Sequence, residues 1–298
     1  TINLANNSND GTTVTAAGSG GTIVSDADPV FNLSTNDVSN VEVSGLTFDL
    51  SEGTHSAVRV GSSNTYDGLS VVNNEFNGAT GDAVVVDLAN VSSTAGLSIN
   101  ENTFDSESDY AAIELNGTGL SGTDAFEVNG NEINDADGSD AINISSAINS
   151  ANVDLSIQDN VVTNQSSNNT VNLTVSDADT VTISGNTLSG ETDGAATGLN
   201  ISVTAGSNVV SVSDNEISNF DDESGGGTGV SVSTGNVSLT DNTLANNAIQ
   251  FDDVGDNYDE QTVINDNAVS PVVLALDERD GNIQDNAVYG TVEGGVVG

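Results

Sequence analysis

Along most of this chain apolar residues take every second position for a few places and then stop. Val181-Thr182-Ile183-Ser184-Gly185-Asn186-Thr187-Leu188 shows the unit: apolar, polar, apolar, two small polar residues, Asn, any residue, apolar. It recurs as LSVVNNEF (69–76), LSINENTF (97–104), FEVNGNEI (126–133), LSIQDNVV (155–162), VSVSDNEI (210–217), VSLTDNTL (237–244), TVINDNAV (262–269) and GNIQDNAV (281–288). Its Asn stands at Asn74, Asn102, Asn131, Asn160, Asn186, Asn215, Asn242, Asn267 and Asn286. Leu46 takes that place in an earlier copy, Val41 to Phe48. Counted from Leu46, the spacings are 28, 28, 29, 29, 26, 29, 27, 25 and 19 residues. So steady a period marks a repeat architecture.

Each repeat predicts three short strands. The piece before the Asn alternates, so Val181 and Ile183 point to one side. A second begins just after it and carries Leu188, Ile217 or Leu244. A loop of varying length leads to a third, such as Val171/Leu173/Val175 or Leu199/Ile201/Val203. No 3.6-residue periodicity persists, and Gly, Ser, Thr, Asn and Val dominate, so helices do not fit. The expected fold is all-β, a single-stranded parallel β-helix in which every strand pairs with its equivalent one coil on. About ten coils stacked at about 4.8 Å make a rod of roughly 50 Å. Residues 1–37 read as an N-terminal cap or first coil, and residues 38–298 as one continuous solenoid domain. The Asn column reads as structural: Asn tolerates the positive φ that a sharp bend needs, and stacked amides bond from coil to coil.

The apolar-x-apolar-x-x-Asn-x-apolar repeat, over residues 38–290, resembles that of the right-handed parallel β-helices of the pectate-lyase-like superfamily. The resemblance implies a right-handed coil with an Asn ladder, but no single activity, because lyases, hydrolases, phage tailspikes and non-enzymatic surface proteins share it. In the enzymes of that superfamily the substrate groove follows the outer face of the third strand. Here that face carries Val85, Asp87, Glu114, Asn143, Asn172, Thr174, Asn200, Ser202, Ser231, Gln250, Val273 and Ala275. The superfamily's pectate-lyase and polygalacturonase residue sets do not appear in the sequence.

Charge narrows the reading. Forty-five acidic residues face two basic ones, Arg59 and Arg279, for a net charge of −43. That excludes nucleic acid and anionic membranes as partners. Such self-repulsion opposes compaction unless salt or cations screen it, and the screening length falls to about 3 Å at 1 M salt. A saline or calcium-rich habitat is expected. With no cysteine, neither disulfides nor thiolate metal sites form. No apolar run of 18 residues is present to span a membrane. The 35 % apolar content, placed in strict alternation, argues against disorder. The sequence opens at Thr1 without Met or leader, as a mature or trimmed chain does.

Catalytic chemistry finds little support. A lyase needs a tuned base and cations to hold developing negative charge, yet lysine is missing and the two arginines fall near opposite ends. His55, the single histidine, sits in a loop and reads as solvated. Acid clusters such as Asp252/Asp253 and Asp221/Asp222/Glu223 are candidates for two-carboxylate glycosidase chemistry, but 45 acids make such clusters unavoidable and they read as solvated surface.

The residue before the ladder Asn is more ordered. It is acidic at Glu101, Asp159, Asp214, Asp241, Asp266 and Asp285, the last four in consecutive coils. Either Asp simply suits a turn there, or Asp214, Asp241, Asp266 and Asp285 hold calcium. The run Asn134 to Asp140 lacks EF-hand register and reads as a turn.

Among the Asn-x-Ser/Thr acceptors, Asn90, Asn116 and Asn164 lie in expected loops and suit glycosylation. Asn143, Asn172 and Asn200 stack too closely for bulky glycans. The C-terminal stretch from Gly290 to Gly298 lacks a cap signature and reads as an edge for self-association. The expectation is a non-enzymatic extracellular or cell-surface rod: an adhesin, surface-layer or filament subunit, requiring no cofactor and partnered by itself or by surface glycans. Two alternatives stay open, a polysaccharide lyase, hydrolase or tailspike-like depolymerase, and a glycan-binding module without turnover.

Overall fold

A computed structural model describes residues 2–3, 13–15, 21–24, 30–32, 38–51, 56–60, 66–78, 83–87, 96–105, 111–116, 125–134, 139–149, 154–177, 180–191, 196–203, 210–220, 228–234, 237–245, 249–251, 263–265, 268–270, 273–276, 282–284, 287–288 and 291–294. Within them the chain is a parallel β-solenoid of stacked coils. Every third strand joins the same sheet, and every pair is parallel. The first sheet holds the strands before the Asn, eleven of them, from Thr13–Thr15 to Asn282–Gln284. The second holds the eleven strands after it, from Gly21–Val24 to Ala287–Val288. The third has twelve, from Ile2–Asn3 to Thr291–Gly294.

One coil shows how the pattern becomes the wall. Thr180–Ser184 buries Val181 and Ile183, Thr187–Gly190 buries Leu188, and Thr197–Val203 buries Leu199 and Ile201. Alternation sends the residues between them outward. Register keeps like over like: Leu155 pairs with Val181 and Val181 with Val210, while Ile157, Ile183 and Val212 follow beside them. The core is thus a bundle of apolar columns parallel to the rod axis.

In the second sheet the early coils place Phe48, Phe76 and Phe104 in one column. Their rings stack at centroid distances of 4.9 and 4.8 Å with interplanar angles of 7° and 11°. The coil rise itself sets that spacing. Phe31 meets Phe48 edge-on at 5.8 Å and 81°, and Ile133, Val162 and Leu188 continue the column as aliphatics.

The bend between the first two strands corrects one expectation. Positive φ belongs to the residue before the ladder position, Leu46 in the first copy and Asn after it: Gly45 (66°), Asn73 (54°), Glu101 (56°), Gly130 (66°), Asp159 (55°), Gly185 (68°), Asp214 (58°) and Asp241 (58°). Among the described residues no ladder Asn has it. The left-handed conformation costs most L-residues about 1–2 kcal/mol, and Gly, Asn and Asp bear it best. That preference accounts for the Gly, Asn and Asp of this column, and Glu101 is its strained exception.

Candidate functional site

A continuous polar feature, the Asn ladder, runs along the described coils. Asn74, Asn102, Asn131, Asn160, Asn186, Asn215 and Asn242 are all buried at the bend. Each of the first six donates through Nδ2 to Oδ1 of the Asn one coil on, at 2.8–3.1 Å. The second Nδ2 proton goes to a main-chain carbonyl of the preceding coil, as from Asn160 to Val128 at 2.7 Å and from Asn186 to Ile157 at 2.9 Å. The same Oδ1 also accepts the backbone N–H of the previous Asn, as Asn186 Oδ1 does from Asn160 at 3.0 Å. From Asn102 onward two donors and one two-fold acceptor per amide are therefore all used inside the wall. Leu46 N–H donates to Asn74 Oδ1 at 3.1 Å, so Leu46 caps the column from the slot its sequence predicts. Asn267 and Asn286 lie outside the described residues.

The acidic column stands beside this ladder but faces water. Asp159 leans over Gly185, where its Oδ1 leaves no room for a Cβ, and Glu101 leans over Gly130, 3.5 Å from a Cβ there. Glycine thus separates the acids until Asp214 and Asp241, which are exposed in adjacent coils. Asp266 and Asp285 lie outside the described residues. Among the described residues no group of three or more metal-ligating side chains comes together.

Elsewhere the acids are interleaved with donors. Down the second sheet the outward residues run Thr47, Glu75, Thr103, Glu132, Val161, Thr187, Glu216 and Thr243, one per coil in register. Thr47 Oγ1 donates to Glu75 Oε2 at 3.1 Å, and Asn77 Nδ2 to Glu75 Oε1 at 3.0 Å. On the first sheet Ser98 Oγ and Asn100 Nδ2 both donate to Glu127 Oε2, at 3.2 and 3.1 Å. Glutamates two coils apart stand about 9.6 Å from one another, beyond the roughly 8 Å screening length of 0.15 M salt. This spacing tempers self-repulsion without a bound ion. Asp49 gains most from such contacts: the Ser51 hydroxyl, donating at 2.7 Å, and then the Ser51 backbone N–H hold its carboxyl below the ordinary range.

The outer face of the third sheet is the surface that the resemblance singles out. Register aligns Glu114, Asn143, Asn172, Asn200, Ser231 and Gln250 in one column. Three of them form a second amide row: Asn172 Nδ2 donates to Asn143 Oδ1 at 3.2 Å and Asn200 Nδ2 to Asn172 Oδ1 at 3.1 Å. Asp140 anchors it, accepting from Asn172 Nδ2 at 3.0 Å and from Asn169 N and Nδ2 at 2.9 and 2.8 Å. Both amide protons of Asn172 are thereby engaged. Arg59 is half-buried in the same column, between Asn32 and Val85.

The remaining residues singled out by sequence are scattered. Asn164 is exposed with φ 60° and Asn116 ends the strand Ile113–Asn116, while Asn90 lies outside the described residues. So do His55, Arg279, Asp252, Asp253, Asp221, Asp222 and Glu223. Sequence reasoning missed Asp140, taken only as part of a turn, and the donors that separate the glutamates. The regular Thr/Glu exchange down the second strands was the available signal. Among the described residues no helix is long and apolar enough to cross a membrane. Comparison with family models, with curated proteins and with solved structures finds no match.

Proposed function

We propose that this chain is a non-enzymatic, exported structural rod presented at a cell surface in saline surroundings, as an adhesin, surface-layer or filament subunit. On this reading it belongs with the right-handed, non-enzymatic surface branch of the pectate-lyase-like β-helices. The observation that carries the proposal is the ladder: from Asn74 to Asn242 each coil is tied to the next by buried amides along the axis. Bonds so directed resist separation of coils, which is what a spacer or filament subunit requires. Its partners are further copies of itself or surface glycans, and no cofactor is needed. Calcium at Asp214 and Asp241 would be an accessory to stability, seen as a chelator-dependent fall in Tm at low salt.

One observation favours a second reading, glycan binding without turnover. The row Asn143, Asn172 and Asn200 sets amide groups at coil spacing on an outer face, and neutral sugars are recognised by such fixed donors and acceptors. Incubation with acidic and neutral glycans, alongside electron microscopy over a dilution series, separates the readings. The structural rod predicts intact glycans and concentration-dependent particle length. Retention of one glycan without cleavage favours the second reading, and released product overturns both.

A further inference from the structure

The corner between the second and third sheets, in the coil from Val161 to Val175, holds two buried polar atoms left unpaired among the described residues. Strand Val161–Gln165 ends in a bulge: Asn164 takes φ 60°, and its pairing slips between Val162 and Gln165. The slip accompanies an inward turn of Gln165, which is fully buried. Its Nε2 donates to Ser139 O at 2.6 Å and to Ser167 O, so both amide protons go to carbonyls. That fixes the amide's orientation, since the flipped form would set oxygen against two oxygens. Gln165 Oε1 therefore looks the other way. Neither it nor Oγ1 of the equally buried Thr170 has a hydrogen-bond partner among the described residues.

The two positions belong to columns that face each other. Gln165 pairs with Gly190. Thr170, between the pairs Asn169–Thr197 and Val171–Leu199, stacks beneath Gly198. One ring, Phe220, reaches both glycines: a Cβ on Gly190 would stand 2.8 Å from its Cδ1, and one on Gly198 3.1 Å from its Cε2. A single phenyl ring touching both glycines shows that the two columns approach each other one coil above Gln165 and Thr170.

We propose that this corner binds one water molecule as a structural ligand, which donates to Gln165 Oε1 and hydrogen-bonds with Thr170 Oγ1. Burial without a partner is unfavourable for both oxygens. Water supplies the donor that Oε1 needs and takes either role toward the hydroxyl, and polar corners of this kind are where buried water is held. A hard cation fits less well, because it requires about six oxygens. Asp140, beside Ser139, already accepts three N–H donors. The polarity is local. Thr170's column carries Ala141 one coil before and Gly198 one coil after, and Gln165's column passes to Gly190.

A high-resolution crystal structure of the unaltered chain, grown in sodium chloride and soaked in rubidium chloride, tests this. The expected result is a density peak about 2.8 Å from both oxygens, with no anomalous rubidium signal. An empty corner, a direct Gln165–Thr170 hydrogen bond, or a rubidium peak would overturn it. In solution, Gln165→Leu and Thr170→Val each lower Tm, and the double variant falls no further than the worse single one, since both lose the same water. Fully additive falls would count against the proposal. If a variant does not fold, the crystallographic result on the unaltered chain decides.

Discussion

Two rows of asparagine amides run along this rod, and their difference is instructive. The inner row, Asn74 to Asn242, sits at the bend between the first and second sheets and is buried. The outer row, Asn143, Asn172 and Asn200, lies on the third sheet and is half-exposed. Both repeat at the coil rise, and both pass Nδ2 to Oδ1 from coil to coil. The inner amides also serve the backbone, closing donors and acceptors that the sharp bend leaves without a strand partner. The outer amides sit on strands whose backbone is already paired. Identical chemistry is structural in one place and available to a ligand in the other, because only the inner row lacks water as an alternative partner.

The widest gap should appear on deletion. Asn160→Leu strips partners from Asn131 N, from one Asn131 Nδ2 proton and from Val128 O, all within the wall. We expect a loss of roughly 3–5 kcal/mol in denaturant unfolding, against under about 1 kcal/mol for Asn172→Ala, whose former partners can turn to water. Equal losses would erase the distinction between the rows. Next comes Asp140→Ala, which removes three donors' acceptor at the end of the outer row and should cost about 1–2 kcal/mol. A neutral result would mean that the carboxylate does not order that row.

How much of this the sequence shows differs between the rows for a physical reason. The inner row lies within one unbroken motif, from Val181 to Leu188, so period and alternation reveal both its burial and its stacking. The bend was displaced by one position because Asn itself tolerates positive φ. The mixture of Gly130, Asp159, Gly185 and Asp214 in the preceding column is the sharper signature of that conformation. The stacking of the outer row was legible too: Asn143-Ile144-Ser145 and Asn172-Leu173-Thr174 match the glycan-acceptor pattern, yet their equivalent places in adjacent coils set them too close for bulky glycans. Its anchor did not stand out. Asp140 lies 29 residues from Asn169, the same coil offset as Asn143 from Asn172, but it ends an acidic run that reads as a turn, so nothing marks it apart from its neighbours. Gln165 faces inward only because of the slip at Asn164, which alternation does not foresee.

Smaller effects sharpen the account of the bend beside the inner row. Glu101→Gly relieves positive φ at a long side chain, offset by the greater freedom of glycine in the unfolded chain. Stability should rise by about 0.5–1 kcal/mol, and a clear fall in Tm would contradict the assignment of the bend. Smallest is Asp49. Its carboxyl is held low by Ser51, so its contribution is present above its unfolded pKa and is lost as pH falls through the lower folded value. Ser51→Ala should move the Asp49 titration, followed by NMR, back up toward the ordinary carboxylate range. An unmoved titration would show that the Ser51 hydroxyl does not set it.

The central claim is that inner amides tie the coils while outer ones are exchangeable, and the side chains report on this directly. Hydrogen exchange of the asparagine carboxamide protons, resolved by NMR on a nitrogen-15-labelled chain, compares the two rows in one sample. Protection of Asn102, Asn131, Asn160, Asn186 and Asn215 by orders of magnitude over Asn143, Asn172 and Asn200 is the predicted result. Exchange of both rows at the same rate would contradict it.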